Sequence, residues 1–131
     1  MLPFIWRILL HPNMRVFKTA AFTRIARKAI ILDAELCRAA REAAAGQAID
    51  LGGGVFKKRL NRNLHRGVIL ARGGRFWIYE YLFAKQDQAS ITASELAAFR
   101  LLAKSYEALS AQHLTEILAA RHLKEICRDP A

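Results

Sequence analysis

Cysteine is scarce in this chain, and acids are outnumbered almost two to one by bases. Only Cys37 and Cys127 are present, ninety positions apart. They form no CxxC pair, and no histidine accompanies them at metal-ligand spacing, so the sequence offers no cysteine-based metal site. Two buried thiols in a reducing compartment are expected. Long apolar runs are missing as well. Leu2 to Leu10 is apolar apart from Arg7, but nine residues fall far short of the roughly 20 that a bilayer requires. No small-residue cleavage site follows, so a secretory signal is not expected. Internal repeats and low-complexity stretches are absent too.

The shortage of acids has consequences for partners. Eleven acids against 21 lysines and arginines leave a net charge of +10, which suits nucleic acid, ribosomes, anionic membranes or an acidic protein. The excess is concentrated. Residues 55–85 hold eight bases (Lys57, Lys58, Arg59, Arg62, Arg66, Arg72, Arg75 and Lys85) against Glu80 alone, a net +7. Residues 1–54 carry net +4 and residues 86–131 net −1. The middle of the chain is therefore the expected anion-binding part.

Residues 1–13 read as an N-terminal appendage and residues 14–131 as a single domain. Met14 to Lys18 suits a strand. Thr19 is placed to cap a helix over Ala20 to Ala29, with Phe22, Ile25 and Ala26 on one face. Asp33 is placed to cap a second helix, with Leu36, Ala40 and Ala43 at helical spacing and Gly46 ending it. The glycines of Asp50-Leu-Gly-Gly-Gly54 do not make a phosphate cradle, because the following Val55–Leu60 reads as a strand rather than a helix. Along that strand Phe56 and Leu60 share one face and Lys57 and Arg59 the other. Arg66–Ala71 is a second strand. Gly73-Gly74 makes a hairpin turn, and Phe76–Ala84 is a long aromatic strand with Trp77, Tyr79, Tyr81, Phe83 and Lys85 on one face. Glu80 falls on the other, where it needs solvent or a partner. Thr92-Ala-Ser-Glu95 has the form of a capping box. The helix it opens carries Leu96, Phe99, Ala103 and Tyr106 as an apolar stripe. Ser110 caps a last helix through Leu118, and an irregular or extended tail follows. The order β-α-α-β-β-β-α-α predicts an α+β domain, a small antiparallel sheet with helices packed on one face.

Several of these segments carry a family resemblance. Asp50-Leu-Gly-Gly-Gly-Val-Phe-Lys-Lys-Arg-Leu-Asn-Arg-Asn-Leu-His-Arg66 and Phe76-Trp-Ile-Tyr-Glu-Tyr-Leu-Phe-Ala-Lys85 resemble the RelE-like branch of the RelE/ParE superfamily of bacterial toxins. So do Met14-Arg-Val-Phe-Lys-Thr19 with Phe22 and Ala26-Arg-Lys28, and, further on, Glu95-Leu-Ala and Phe99-Arg-Leu-Leu-Ala-Lys104. The similarity spans about residues 14 to 127. It implies a cytoplasmic toxin of a type II toxin-antitoxin system that inhibits translation by cutting mRNA, usually on the ribosome. Its implied partners are a cognate antitoxin, mRNA and the ribosome, with no membrane, metal or other cofactor. Matched strand to strand, the positively charged residues of the family's catalytic site fall on Lys57, Arg59, Arg66 and Lys85. The family's C-terminal catalytic tyrosine has no match, which leaves the general base open.

Metal-independent cleavage needs a base for the 2′-OH, cations for the phosphorane and an acid for the leaving 5′-oxygen. Arg59 and Arg66 suit the cationic role, since a guanidinium engages two phosphate oxygens and stays charged. Lys57 is a candidate base or phosphate contact, and Lys85 would help to close the pocket. His65 is the candidate acid, an unperturbed imidazole titrating near ~6.5. Tyr79 or Tyr81 would stack on a base, while Lys58, Arg62 and Arg72 would add affinity for RNA. Plainer roles compete with these. Lys57 and Arg59 also fit a solvated sheet face, His65 a turn, Tyr79 and Tyr81 sheet packing, and Lys58 a snorkelling side chain. Two other functions remain open to the sequence. One is a ParE-like inhibitor of DNA gyrase, which needs no cationic cluster. The other is a non-catalytic RNA- or ribosome-binding module, whose affinity would fall steeply with salt.

Overall fold

The computed structural model describes residues 14–128; residues 1–13, the expected appendage, lie outside them. The elements run β1 Arg15–Thr19, α1 Ala20–Lys28, α2 Asp33–Ala44, β2 Ile49–Asp50, β3 Val55–Leu60, β4 His65–Leu70, β5 Phe76–Ala84, α3 Ala93–Glu107, α4 Ala111–Ala119 and β6 Leu123–Ile126. The strands form one six-stranded sheet in the order β2-β3-β4-β5-β1-β6. The α+β class is as expected. The tail is a strand, β6, paired antiparallel with β1, and β1 lies parallel to β5, so the sheet is mixed.

The helices cover both faces of the sheet rather than one. On the first face, Phe22, Ala26, Leu36 and Ala40 of α1 and α2 pack against Val16, Leu60, Ile69, Trp77 and Tyr79. On the second, α4 covers Phe17, Phe76 and Ile78, while α3 covers Val55, Val68, Leu70 and Phe83. Central strands covered on both sides read as continuous apolar runs, and this hides the second helical layer from a reading by alternation.

Local chemistry sets the helix ends. The Thr19 hydroxyl accepts from the Phe22 N–H at 3.0 Å, and Thr92 with Glu95 forms the full capping box of α3. Ser110 caps α4 through the His113 N–H at 3.1 Å. Asp33 is not a cap; it sits inside the first turn of α2, where its carboxylate accepts from Lys18 Nζ at 2.7 Å. Lys18 is buried on β1, so this bond ties an interior strand to α2. In the loop before β3, Gly54 has φ +86°, and a Cβ there would lie 2.6 Å from the Cβ of Arg72. Arg100 of α3 holds the same loop by donating to the Leu51 carbonyl at 2.6 Å.

Strand β5 contains a β-bulge. Val68 pairs with Tyr81 and Ile69 with Tyr79, so Glu80 is the extra residue. The bulge divides the aromatic stripe expected on one face. Trp77 and Tyr79 go under α1 and α2, while Tyr81 and Phe83 go under α3. Glu80 is left half-buried, accepting from the Tyr106 hydroxyl at 3.2 Å. Burial raises its carboxyl to about 7, against a smaller lowering by that hydrogen bond.

The two cysteines, expected as buried thiols, are joined. Ile126 of β6 packs into the same core as Leu36, which brings Cys127 beside Cys37 in a disulfide with Cα atoms 5.5 Å apart. Cys37 is buried, whereas Cys127 is exposed.

Two outcomes are expected from this architecture. Reduction, or Cys37→Ser, should lower the unfolding free energy by about 2–4 kcal/mol, the usual range for a bridge that closes a long loop, read as a drop in the urea midpoint. Glu80 binds its proton more tightly folded than unfolded, so its contribution is present at low pH and is lost as pH rises from about 4.5 towards 7. Glu80→Gln should remove that slope and raise stability at pH 8 by about 1–2 kcal/mol, after discounting for partial exposure, as measured by urea unfolding across pH.

Candidate nucleic-acid interface

The β3–β4 hairpin gathers the basic residues of the middle segment. Strand alternation sends Lys57 and Arg59 to the face that also carries Val55, and register places Arg66 directly opposite Arg59 and Val68 opposite Lys57. Helix α3 covers the Val55–Val68 end of this face. Lys57, Arg59 and Arg66 line an open cleft of about 300 Å³ with Gln47, Ala48, Ile49 and Lys58. A second cleft, of about 500 Å³ at the turn end of the hairpin, is lined by residues that include Arg62, Leu64, His65, Ala84 and Lys85. Between the two strands, Asn61, Arg62 and Asn63 all hold positive φ, of 53°, 54° and 70°. This left-handed run carries the exposed Arg62 at the tip, and two asparagines, which tolerate that conformation, flank it.

Among the described residues none of Lys57, Arg59, Arg62, Arg66 and Lys85 makes an ion pair. Like charges directly opposite on neighbouring strands are destabilising, and Arg59 faces Arg66 with no acid between them. Arg66 is partly engaged, because Nη1 donates to the carbonyls of Asn63 at 3.0 Å and His65 at 3.1 Å and so holds the turn. Arg59 is exposed and makes no such bond.

Other expected site residues are paired or placed elsewhere. Lys58 points to the α2 face, where Nζ lies 3.1 Å from Glu42. Arg72 pairs with Glu107 of α3 at 3.1 Å, beyond the covered end of the sheet. His65 is directly opposite Leu60, hence on the face away from Arg59 and Arg66, and its Nδ1 is 3.1 Å from the Asn61 amide. It does not join the Lys57–Arg59–Arg66 cluster. Tyr79 is fully buried, with its hydroxyl donating to the Leu36 carbonyl at 2.6 Å, and burial raises its pKa further above the ordinary tyrosine value. Its ring has no free face for a base. Tyr81 packs between Phe83 and Phe99 at centroid distances of 5.8 and 5.9 Å and donates to Gln88, so it too is a packing residue.

The sequence reading missed the segment Gln47-Ala48-Ile49, which walls the first cleft, and the Asn61–Asn63 turn. Paired asparagines around an arginine were the available signal for the turn. The wall had none, since it depends on β2, a strand of two residues.

A family model described as the RelE toxin of the RelE/RelB toxin-antitoxin system matches residues 14–126. No curated protein and no solved structure matches the chain.

The two arginines are separable by their bonds. Arg66→Ala should cost about 0.5–1.5 kcal/mol of stability through the lost turn contacts. Arg59→Ala should change stability by less than about 0.5 kcal/mol, or raise it slightly as like-charge repulsion is relieved. Urea unfolding of the two variants measures the difference.

Proposed function

Because the chain belongs to the family of RelE toxins of RelE/RelB toxin-antitoxin systems, we propose that it inhibits translation as a metal-independent mRNA endoribonuclease acting on the ribosome, in the cytoplasm. Its family makes it a toxin with an antitoxin partner. The observation that carries the nuclease reading is the set of five cations around one hairpin that no acid among the described residues neutralises. Elsewhere in the same segment Lys58 and Arg72 are paired with acids. Three of the five share one cleft, and an unpaired cationic cleft is suited to a phosphodiester that gains charge in its transition state.

In this reading the scissile phosphate lies in the first cleft. In its neutral amine form Lys57 takes the 2′-OH proton, and the oxygen attacks the adjacent phosphorus. Arg59 and Arg66 hold the phosphorane oxygens, each offering a planar fork of donors. Lys85, which follows β5 two residues past the partner of Arg66, supplies the proton for the leaving 5′-oxygen, while Arg62 holds the neighbouring phosphate and His65, on the other face, takes no part in the step. The products are a 2′,3′-cyclic phosphate and a free 5′-hydroxyl. DNA lacks the attacking hydroxyl and is not cut. Among the described residues no helix is long and apolar enough to cross a membrane. In the cytoplasm thiols are kept reduced, and the hairpin lies towards the opposite edge of the sheet from the Cys37–Cys127 bond.

Primer extension on mRNA from a translation extract tests this. The unaltered protein should give cuts at defined positions in ribosome-bound message. Arg59→Ala should reduce them by roughly 100-fold or more, the usual effect of removing one charge-stabilising donor. It is the cleaner variant, since Arg66 also holds the turn. No cuts from the unaltered protein would sink the nuclease reading, and inhibition of gyrase supercoiling in its place would favour a ParE-like action.

A further inference from the structure

We propose that the Cys37–Cys127 bridge is a redox-active latch, a substrate for dithiol reductants, whose opening releases β6 and exposes the folded chain to proteolysis from its C-terminal end. Dithiol reductants belong to the compartment proposed above, but the latch and its test do not depend on RNA cleavage.

Exposed bridges are the labile ones, because exchange requires a thiolate to reach one of the two sulfurs. The two ends of this bridge differ. Cys37 is buried on α2, at 8% exposure, whereas Cys127 is exposed just past β6. Cys127 also holds φ +68°, a left-handed conformation that residues other than glycine seldom adopt. An incoming thiolate therefore attacks Cys127 Sγ and expels Cys37 as a thiolate, which takes up a proton. The second thiolate of the reductant then attacks its own sulfur in the mixed disulfide and expels Cys127. Two protein thiols are formed, and the dithiol leaves as a disulfide. Run backwards, the same exchange with an oxidised partner reseals the latch.

What the bridge holds is small and has few other ties. Strand β6 has four residues and pairs with β1 on one side, with no described strand on the other. Leu123 and Ile126 are its buried side chains, and each enters a different core. Its remaining tie is Glu125 with the part-exposed Arg15, and pairs near the surface contribute little. The elements beside it are secured independently. Helix α2 keeps the Tyr79 hydroxyl on Leu36 and Lys18 on Asp33, and β1 keeps β5. Between β6 and the basic hairpin lie both β1 and β5. Opening of the latch is therefore a local event, of the kind that terminal segments with few buried contacts undergo. Lys124, an exposed residue within β6, and Arg121 and Arg128 on either side of it then become sites for a protease that cuts after basic residues. In a reducing medium the chain is protease-sensitive, and in an oxidising one it persists.

The test uses the full chain bridged, reduced with dithiothreitol, and as Cys127→Ser, a change at an exposed position. Dithiothreitol should open the bridge without urea, and oxidised glutathione should reseal it. Hydrogen exchange then reads the opening. In the reduced chain the β1-bonded amides of residues 123–126 should be protected at least about 10-fold less than those of residues 68–70, with little dependence on urea, the mark of a local opening. The bridge should abolish that gap. Trypsin should cut after Lys124 at least about 10-fold faster in the reduced chain than in the bridged one, read by mass spectrometry after full reduction. Cys127→Ser should behave as the reduced chain with or without dithiothreitol. A bridge that yields to dithiothreitol only in urea would overturn the proposal. Equal loss of protection in β6 and residues 68–70, with the same urea dependence, would do so too, since the bridge would then be a staple for the whole fold. So would a β6 equally open in both states, or equal rates of cutting after Lys124.

Discussion

Strand β5 is buried on both faces, and one extra residue in it decides which rings serve which core. Side chains of a strand alternate with a period of two, so a run of aromatics at every second position commits them all to one layer. The bulge at Glu80 breaks that commitment. Upstream of it Trp77 and Tyr79 complete the core beneath α1 and α2, with Tyr79 tied to α2 through the Leu36 carbonyl. Downstream, Tyr81 and Phe83 complete the core beneath α3. Two helical layers thus share one strand. The accompanying cost is a half-buried carboxyl that no cation among the described residues neutralises, and its place at the bulge, in reach of Tyr106, limits that cost to one hydrogen-bonded group.

That packing is what allows the hairpin to hold like charges together. Val55, Val68, Leu70 and Phe83 are buried, and they anchor the covered end of the same face on which Lys57, Arg59 and Arg66 stand free. The turn residues Asn61 to Asn63, all left-handed, fix the other end with help from Arg66. Repulsion between Arg59 and Arg66 is therefore opposed by two well-anchored strands rather than by a neighbouring acid. Among the described residues the charge of Lys57, Arg59 and Arg66 is thus not taken up by any internal ion pair.

Much of this was legible in the sequence because it depends on local rules. Thr19, Thr92 and Ser110 are hydroxyls at helix starts, and each caps. The alternation Phe56-Lys57-Lys58-Arg59-Leu60 gave the faces of β3 correctly, Lys58 included. The features that escaped are non-local. Glu80 stood out as a polar residue in an apolar strand, but neither glycine nor proline marks the bulge, so Tyr79 and Tyr81 were assigned to the same face. His65 neighbours Arg66 in the chain, and strand alternation is the very reason it points away from it. Asp33 has the form of a cap and is instead drawn inward by Lys18, a partner fifteen positions earlier. The Cys37–Cys127 bond required knowledge of β6, whose pairing partner lies at the other end of the domain.

The position of β1 also bears on when a functional molecule comes into being. β1 is an interior strand, with β5 on one side and β6 on the other, yet both neighbours are synthesised long after it. Its parallel mate begins at Phe76 and its antiparallel mate at Leu123. Contacts so distant in sequence form late, since the closing of long loops precedes any gain from them. The β3–β4–β5 meander, by contrast, is made of neighbours and can assemble as it emerges. The nascent chain therefore acquires its cationic face early and closes its sheet last, once residue 126 has been translated and folded into place.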